Sequence, residues 1–576
     1  MQLQRLPVGD ASYTQIIKDN CAYVDKTQFI EMLEEQRTRY PFIIRPRRFG
    51  KTLFLNTLRC YYDRNFKDKF KEFFKDTYIY EHKTPLQGSF YILKFDFSGV
   101  NKNPSKLVES FTNKVECGIN EFFTNYQDVA QHAKPLLKNE YDSPASLINA
   151  FCQAINAITG HNVYLIIDEY DQFANELLSK NVDSFRSITS NDGFLKDFYA
   201  ILKERAQNTF SNIFITGVTS ISLDSMTSGF NIAENLTFNP NFASMFGFTE
   251  GELRSLIFKT IDLSRITKSI DEIIATMKDL FNGYRCSNES QETVYNPSMC
   301  LYYLKHLATT GKEPKQLFDP SVTSDIFKID GILGLTDDRR QIDEIITAVL
   351  NGENIVMDVQ PPQLNMNELD HLGQNELLSV LMYMGYLTWS QNSDEQLRCP
   401  NKAMREQFFS YYFKLIKPNL NLRFEMTESL VKSFQDLSTG NIKSLLYLVS
   451  DKLSRTSGIA SAKSFNEKVI QVAVQMAFLP TTKFSATAEL EALGKGIADL
   501  FIEETCNQDP NRQCWLLEFK YASKTQTTAA KINQLKEQAK DQLNCYSQSD
   551  TFSRLARLKK IVVIFSGTKL ICIEEL

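Results

Sequence analysis

Pro41-Phe42-Ile43-Ile44-Arg45-Pro46-Arg47-Arg48-Phe49-Gly50-Lys51-Thr52 is the stretch that decides the fold. Its apolar start reads as a short buried strand, a basic loop follows, and a helical pattern begins at Gly-Lys-Thr. That order is the one in which a chain cradles the phosphates of a nucleotide. Gly50 lets the backbone approach a phosphate. Lys51 supplies a point charge for the β- and γ-phosphates, and Thr52 offers a hydroxyl to Mg2+. The helix N-terminus adds its dipole and free N–H groups. The full pattern, GxxxxGK[ST], has a glycine where this chain has Arg45. Arg47 and Arg48 leave three readings open: phosphate contact, contact with a neighbouring subunit, or pairing with acids elsewhere.

Those acids stand at the end of another apolar run. Val163-Tyr164-Leu165-Ile166-Ile167 leads directly into Asp168 and Glu169. Asp168 is expected to hold Mg2+ through water, and Glu169 to polarise the attacking water. Asp171 is a third carboxylate nearby. The plainer reading, acids capping a turn, loses ground because the loop pattern precedes them. A further run, Asn212-Ile213-Phe214-Ile215, ends at Thr216. Thr216 either senses the γ-phosphate from between the other two strands or closes a turn. Phe90–Phe97 adds a strand, Asn235–Phe238 a short fifth, and helical patterns at Leu107–Phe123 and Ser146–Ile158 separate them. Such alternation predicts an α/β fold over residues 1–255, a parallel sheet with helices on both faces.

The pattern then turns helical: a lid over 256–310 and a connector over 311–455. In the connector, Gly385–Trp389 and Gln396–Cys399 flank the polar turn Gln391-Asn392-Ser393-Asp394. A hairpin after helices reads as winged-helix-like, serving either DNA contact or closure of the lid. Phe408, Phe409, Tyr411, Tyr412 and Phe413 cover more than one helix face, which is core spacing rather than a platform for bases. Thr456-Ser457-Gly458 reads as a linker to a small α/β domain over 456–576.

In that last segment, Ala498-Asp499-Leu500-Phe501-Ile502 and Trp515-Leu516-Leu517-Glu518-Phe519-Lys520 are strand-like. Glu518 and Lys520 lie two apart, so they face one side of a strand, and a hairpin would bring Asp499 beside them. Two converging carboxylates can bind Mg2+. Lys520 would orient a water or offset phosphate charge. A charged solvent face is the alternative. The apolar neighbours Leu516, Leu517 and Phe519 speak against it, since an unpaired acid on a buried strand is costly.

Two resemblances follow from these motifs. Tyr23-Val24-Asp25-Lys26-Thr27, RPRRFGKT at 45–52, IIDEYD at 166–171, FITGVTS at 214–220, GFTE at 247–250, NGYR at 282–285 and VYNP at 294–297 resemble the AAA-ATPase-like family over roughly 5–300. That resemblance implies a P-loop NTPase that takes ATP and Mg2+, tolerates Arg45, and uses Arg48, Gly50, Lys51, Thr52, Asp168 and Thr216 around the nucleotide. It also places Tyr23–Thr27 near the nucleotide, and implies links to mobile elements and ring-like homo-oligomers. Arg285 is either a lid arginine or a core-pairing one. The C-terminal segment, over about 460–570, resembles the PD-(D/E)XK nuclease superfamily, with a restriction-endonuclease-like fold. It implies a Mg2+-dependent site of Asp499, Glu518 and Lys520, with Glu467 from a preceding helix and Gln542 from a following one. Ile497 and Ala498 replace the basic residue often found before the first acid.

Composition agrees with this outline. The 576 residues are 43% hydrophobic and 23% charged, ordinary for a multidomain globular chain. Net charge is -5, unevenly spread: residues 1–75 hold 15 Lys/Arg against 9 Asp/Glu, and residues 401–576 hold 24 against 18. Part of the first excess belongs to the phosphate loop. The second makes the C-terminal domain the better candidate for nucleic acid, with DNA favoured over RNA. Arg554, Arg557, Lys559 and Lys560 form a basic cluster there, read as a polyanion contact or a solvated helix end. The 11 scattered cysteines and 5 isolated histidines show no zinc spacing. No signal-like or membrane-length apolar run is present, so the chain reads as soluble and intracellular. Two functions fit: an ATPase coupled to a nuclease, or a nucleotide-driven switch or effector whose nuclease fold only binds.

Overall fold

A computed structural model describes residues 3–101, 104–138, 140–171, 193–219, 229–314, 326–333, 336, 338–357, 373–391, 393, 395–420, 424, 426–455, 466–478, 481, 483–491, 496–505, 512–523, 527–549 and 552–576. It divides into two units, 1–405 and 406–576. The expected linker at 456–458 lies outside the described residues.

The first unit is built on β1 (Pro41–Ile44), β2 (Tyr91–Asp96), β3 (Val163–Asp168), β4 (Phe210–Gly217) and β5 (Glu234–Asn235), in the order β2-β3-β4-β1-β5. Every pairing is parallel. All six residues of β3 are buried, as in a strand covered on both faces. The order sets β4 between the loop-bearing β1 and the acid-bearing β3, so their C-terminal ends share one edge of the sheet. Ligands of open parallel sheets bind at that edge. The short fifth strand begins earlier than its apolar run suggested, at Glu234–Asn235. Leu236 N–H still bonds the Phe42 carbonyl at 2.8 Å, so the apolar residues continue along the sheet edge.

Helix α1 (Lys51–Tyr62) follows β1 through the basic loop. Its N-cap, Gly50, has φ +92°, a left-handed conformation that a side chain would resist. Arg45, in the place of the usual glycine, is only 3% exposed and turns inward. Its guanidinium donates to the carbonyls of Ile44 (2.8 Å), Thr237 (2.6 Å) and Phe242 (3.1 Å). It braces β1 against the segment after β5 instead of meeting a phosphate. Arg45→Gly, which restores the common pattern, is therefore expected to destabilise the first unit by about 2–4 kcal/mol without improving nucleotide affinity. Chemical denaturation alongside nucleotide titration checks both halves.

After the sheet come α2 (Glu250–Thr260), α3 (Ile270–Phe281) and α4 (Pro297–Thr310). A three-stranded antiparallel sheet follows, with β6 (Ile355–Val356), β7 (Thr388–Trp389) and β8 (Gln396–Arg398) in the order β6-β8-β7. The turn that leads into β7 approaches the basic loop after β1. A Cβ on Gly385, whose φ is +84°, would meet Pro46 Cβ at 2.8 Å. Phe49 and Tyr284 stack edge-on at 4.9 Å.

The second unit has a mixed sheet of β9 (Phe484–Glu491), β10 (Ile497–Glu504), β11 (Cys514–Ala522), β12 (Leu558–Ser566) and β13 (Lys569–Glu575) in the order β13-β12-β11-β10-β9. Only β11 and β12 run parallel, because α6 (Ala529–Ser547) carries the chain between them; α5 (Glu467–Ala477) precedes the sheet. Leu535, Ala539, Leu543 and Tyr546 of α6 pack on Ala498, Leu516, Val562 and Ile564. Among the described residues of the chain, no helix is long and apolar enough to cross a membrane.

Candidate active sites

At the C-terminal edge of the parallel sheet, a cavity of about 530 Å3 is lined by Arg47, Arg48, Gly50, Lys51, Thr52 and Glu169 at one side. Its other walls come from residues 7–11, Tyr23, Val24 and Lys26, from Phe246 and Phe248 ahead of α2, and from Leu301 of α4. Lys51 Nζ donates to the carbonyls of Arg45 and Pro46, both at 2.9 Å. Burial pulls its ammonium down to about 8, against the upward pull of Asp168, Asp171 and Glu169. Below that pH the lysine is charged; above it the amine must take up a proton before it can bind a phosphate. Nucleotide affinity is thus expected to fall above pH 8, by about tenfold per pH unit, in titrations on both sides of that value.

The acids divide their roles. Asp168, 1% exposed, accepts the Thr216 hydroxyl at 2.9 Å. Thr216 therefore orients the acid, whichever way it meets a nucleotide. Glu169 faces the cavity with φ +52°, strained for a residue with a side chain. Burial, and then Asp168, push its carboxyl up, which favours a group able to take a proton. Asp171 does something else. It accepts the N–H groups of Val218 (3.1 Å) and Thr219 (2.6 Å) and the Thr219 hydroxyl (2.9 Å), holding the end of β4.

The Tyr23–Thr27 segment also splits. Tyr23, Val24 and Lys26 line the cavity, while Asp25 and Thr27 hold the backbone, through the Thr27 N–H to Asp25 at 2.9 Å and the Ile79 N–H to the Thr27 hydroxyl at 3.0 Å. Lys26 ties the segment to the first turn of α2 by a 2.8 Å ion pair with Glu252. Arg285 is a core-pairing arginine. It is buried, does not line the cavity, and donates to the carbonyls of Asn288, Ser290 and Ser390. The hairpin's need for a rigid brace accounts for it.

In the second unit, register pairs Leu500 with Leu517, which sets Asp499 beside Glu518. Asp499 Oδ2 accepts the Phe519 N–H at 2.7 Å, and Lys520 Nζ donates to Glu518 Oε1 at 2.8 Å. Glu467, from the first turn of α5, accepts the Tyr521 N–H at 3.0 Å. The Glu467, Asp499, Glu518 and Lys520 charges all act on one another. Burial and Asp499 push the Glu518 carboxyl well up, while the carboxylates hold the Lys520 ammonium up against its own burial. Gln542 stands one step back: its amide donates to the Tyr546 hydroxyl at 3.3 Å, and Glu518 and Asp499 act on that tyrosine.

Glu518 is 2% exposed, and its Oε2 has no hydrogen-bond partner. A buried, orphaned carboxylate oxygen beside a second carboxylate is a donor set that suits a hard cation. Among the described residues no three His, Cys, Asp or Glu gather as a metal cage. Two carboxylates are nevertheless enough for Mg2+, which keeps waters and takes substrate phosphate oxygens.

Two partners of this site escaped the sequence reading. Lys468 lies 3.8 Å from Asp499 Oδ1, and Gln471 donates its amide to the Asp499 carbonyl. Both are buried polar residues three apart on a helix whose buried positions are mostly apolar, a pattern that could have marked them. The basic cluster is partly spent on structure, since Lys559 pairs with Glu575 at 2.8 Å and Lys560 bonds Asn544 at 2.7 Å. Phe408, Phe409, Tyr411 and Tyr412 are buried; the Phe413 side chain lies outside the described residues.

Comparison with known proteins matches the two segments that contain these residues. Residues 7–227 match the family described as predicted AAA-ATPase, and residues 465–575 match the PD-(D/E)XK nuclease superfamily. An uncharacterized protein in the vnfD 5' region of Azotobacter chroococcum mcd 1 is 29% identical over 301 residues, 52% of this chain and 51% of that protein. The chain thus spans about half the length of the curated relative it matches. The nucleotide-edge loop with its paired acids and the buried Asp-Glu-Lys cluster fall within the two matched segments, so the chain joins an AAA-ATPase-like domain to a domain of the PD-(D/E)XK nuclease superfamily.

Proposed function

We propose that this protein hydrolyses ATP at the sheet-edge cavity and uses that cycle to license Mg2+-dependent cleavage of phosphodiester bonds, with DNA favoured over RNA. In the first unit, the Lys51 ammonium exchanges its loop carbonyls for phosphate oxygens, and the Thr52 hydroxyl with Asp168 would hold Mg2+. Glu169 takes a proton from the attacking water, the Pγ–O bond to ADP breaks, and ADP departs with that oxygen. In the second unit, Asp499 and Glu518 would hold Mg2+. Bound there, the ion supplies charge neutralisation at the phosphodiester and a more acidic water. The Lys520 ammonium is a donor only, so it orients the water and offsets phosphate charge instead of abstracting a proton.

The observation that carries the nuclease reading is the gathering of Asp499, Glu518, Lys520 and Glu467, from three elements, around an orphaned carboxylate oxygen. Lys520 points at the acids and not into the apolar core. The test is cleavage of end-labelled DNA and RNA with Mg2+ or with EDTA, by the wild type and Glu518→Ala. Metal-dependent cuts that vanish in the variant support the reading. The burial of Glu518 favours a second reading, a binding module driven by nucleotide; binding without cleavage in the same assay would support that one instead.

A further inference from the structure

We propose that Lys468 is a second cation of the nuclease site, one that grips the phosphodiester together with Lys520. This inference rests on the nuclease reading above. Lys468 sits in the first turn of α5, with its side chain 11% exposed. A buried ammonium is rare unless it serves a charge of opposite sign. Lys468 Nζ stands 3.8 Å from Asp499 Oδ1, within Coulombic reach of that carboxylate. It thus adds a positive charge at the edge of the acid cluster.

That distance is set by the fold. The Glu467 carboxylate accepts the Tyr521 N–H at 3.0 Å, Gln471 donates to the Asp499 carbonyl, and Gln475 donates to the Ala486 carbonyl at 3.1 Å. Asn466 caps the helix start, accepting the N–H groups of Lys468 (3.1 Å) and Val469 (3.2 Å). With the helix bolted to β9, β10 and β11, the ammonium is preorganised and a bound anion need order little. Charge gives the second argument. With the three carboxylates ionised, as holding a cation requires, Glu467, Asp499 and Glu518 against Lys468 and Lys520 leave one negative charge. A divalent cation turns it into one positive charge, which a phosphodiester cancels. Without Lys468 the same assembly would keep a negative charge in a buried site, which is costly.

The test compares the full-length wild type with Lys468→Met and Lys468→Arg. Mn2+ affinity is read by electron paramagnetic resonance without nucleic acid. Binding of a fluorescent DNA duplex is read by anisotropy with Ca2+ in place of Mg2+. Lys468→Met should weaken duplex binding about tenfold or more, while Mn2+ binds as tightly as in wild type or more tightly. Lys468→Arg should recover most duplex binding, and it carries the test if the methionine variant fails to fold. Unchanged duplex binding in a folded Lys468→Met, or an equal loss of Mn2+ and duplex binding, overturns the inference. So does a folded Lys468→Arg that binds duplex no better than Lys468→Met. If the wild type cleaves and the Lys468 variants match it, only this inference falls. If the wild type neither binds nor cleaves nucleic acid, the nuclease reading falls with it.

Discussion

Glu518→Gln is expected to lower metal-dependent cleavage by about 10^3-fold or more, to leave ATP turnover per chain unchanged, and to raise the melting temperature of the metal-free protein. The first effect follows from losing one of two carboxylates that would hold the cation, and with it the charge on the acceptor that Lys520 meets at 2.8 Å. The last has the opposite sign from most core substitutions. Glu518 is 2% exposed beside Asp499, with one oxygen unpartnered. Burial and Asp499 push its carboxyl well up, so as pH falls the native state takes up a proton at this position before the unfolded chain does. Where the native state binds more protons, stability falls as pH rises. The metal-free wild type should therefore gain stability as pH drops from neutral towards the ordinary carboxylate range, and Glu518→Gln should be insensitive to that change at this position. Differential scanning of both proteins at several pH values, beside a cleavage assay, checks each part. A variant that melts lower and cuts normally would contradict the account.

Lys51→Ala is expected to weaken ATP binding by about 10–100-fold and to lower hydrolysis by about 10^2-fold or more, with little change in the fold. The lysine's partners are two carbonyls of its own loop, Arg45 and Pro46, each at 2.9 Å. Their loss costs far less than the lost charge at the phosphates. The pH dependence should vanish with the lysine: the Lys51→Ala variant lacks the amine that titrates near 8 in this loop, so its weak residual affinity should stay level across that region. Fluorescent-nucleotide titration and phosphate release give the two numbers.

Much of this was legible in the sequence, for reasons that differ from element to element. The strand Pro41–Ile44, the loop and the Gly50 cap are local: a left-handed N-cap and a charged residue at the helix start declare themselves within a dozen positions. The same holds for Glu518 and Lys520, whose two-residue spacing fixes a shared face once the strand is recognised. The inward turn of Arg45 was not legible. Its partners, Thr237 and Phe242, are nearly two hundred residues away, and nothing near position 45 distinguishes a brace from a phosphate contact. Asp171 is similar, since only the register of β3 with β4 brings Val218 and Thr219 to it. Thr216, two readings in sequence, acquires a definite partner in Asp168 for the same reason. Lys468 and Gln471 fall between these cases: their burial was hinted at by an apolar helix, but the target, Asp499, could be known only from the docking of α5 on the sheet.

The central claim is that nucleotide at the first site controls cleavage at the second, and one assay tests it directly. The rate of Mg2+-dependent cleavage of an end-labelled DNA duplex is measured for the wild type with ATP, with ADP and with no nucleotide, and for Lys51→Ala with ATP. The account predicts that the wild type cuts faster with ATP than in either control, and that Lys51→Ala with ATP cuts no faster than the nucleotide-free wild type. Equal rates in all four reactions, or an unchanged response to ATP in Lys51→Ala, would contradict it.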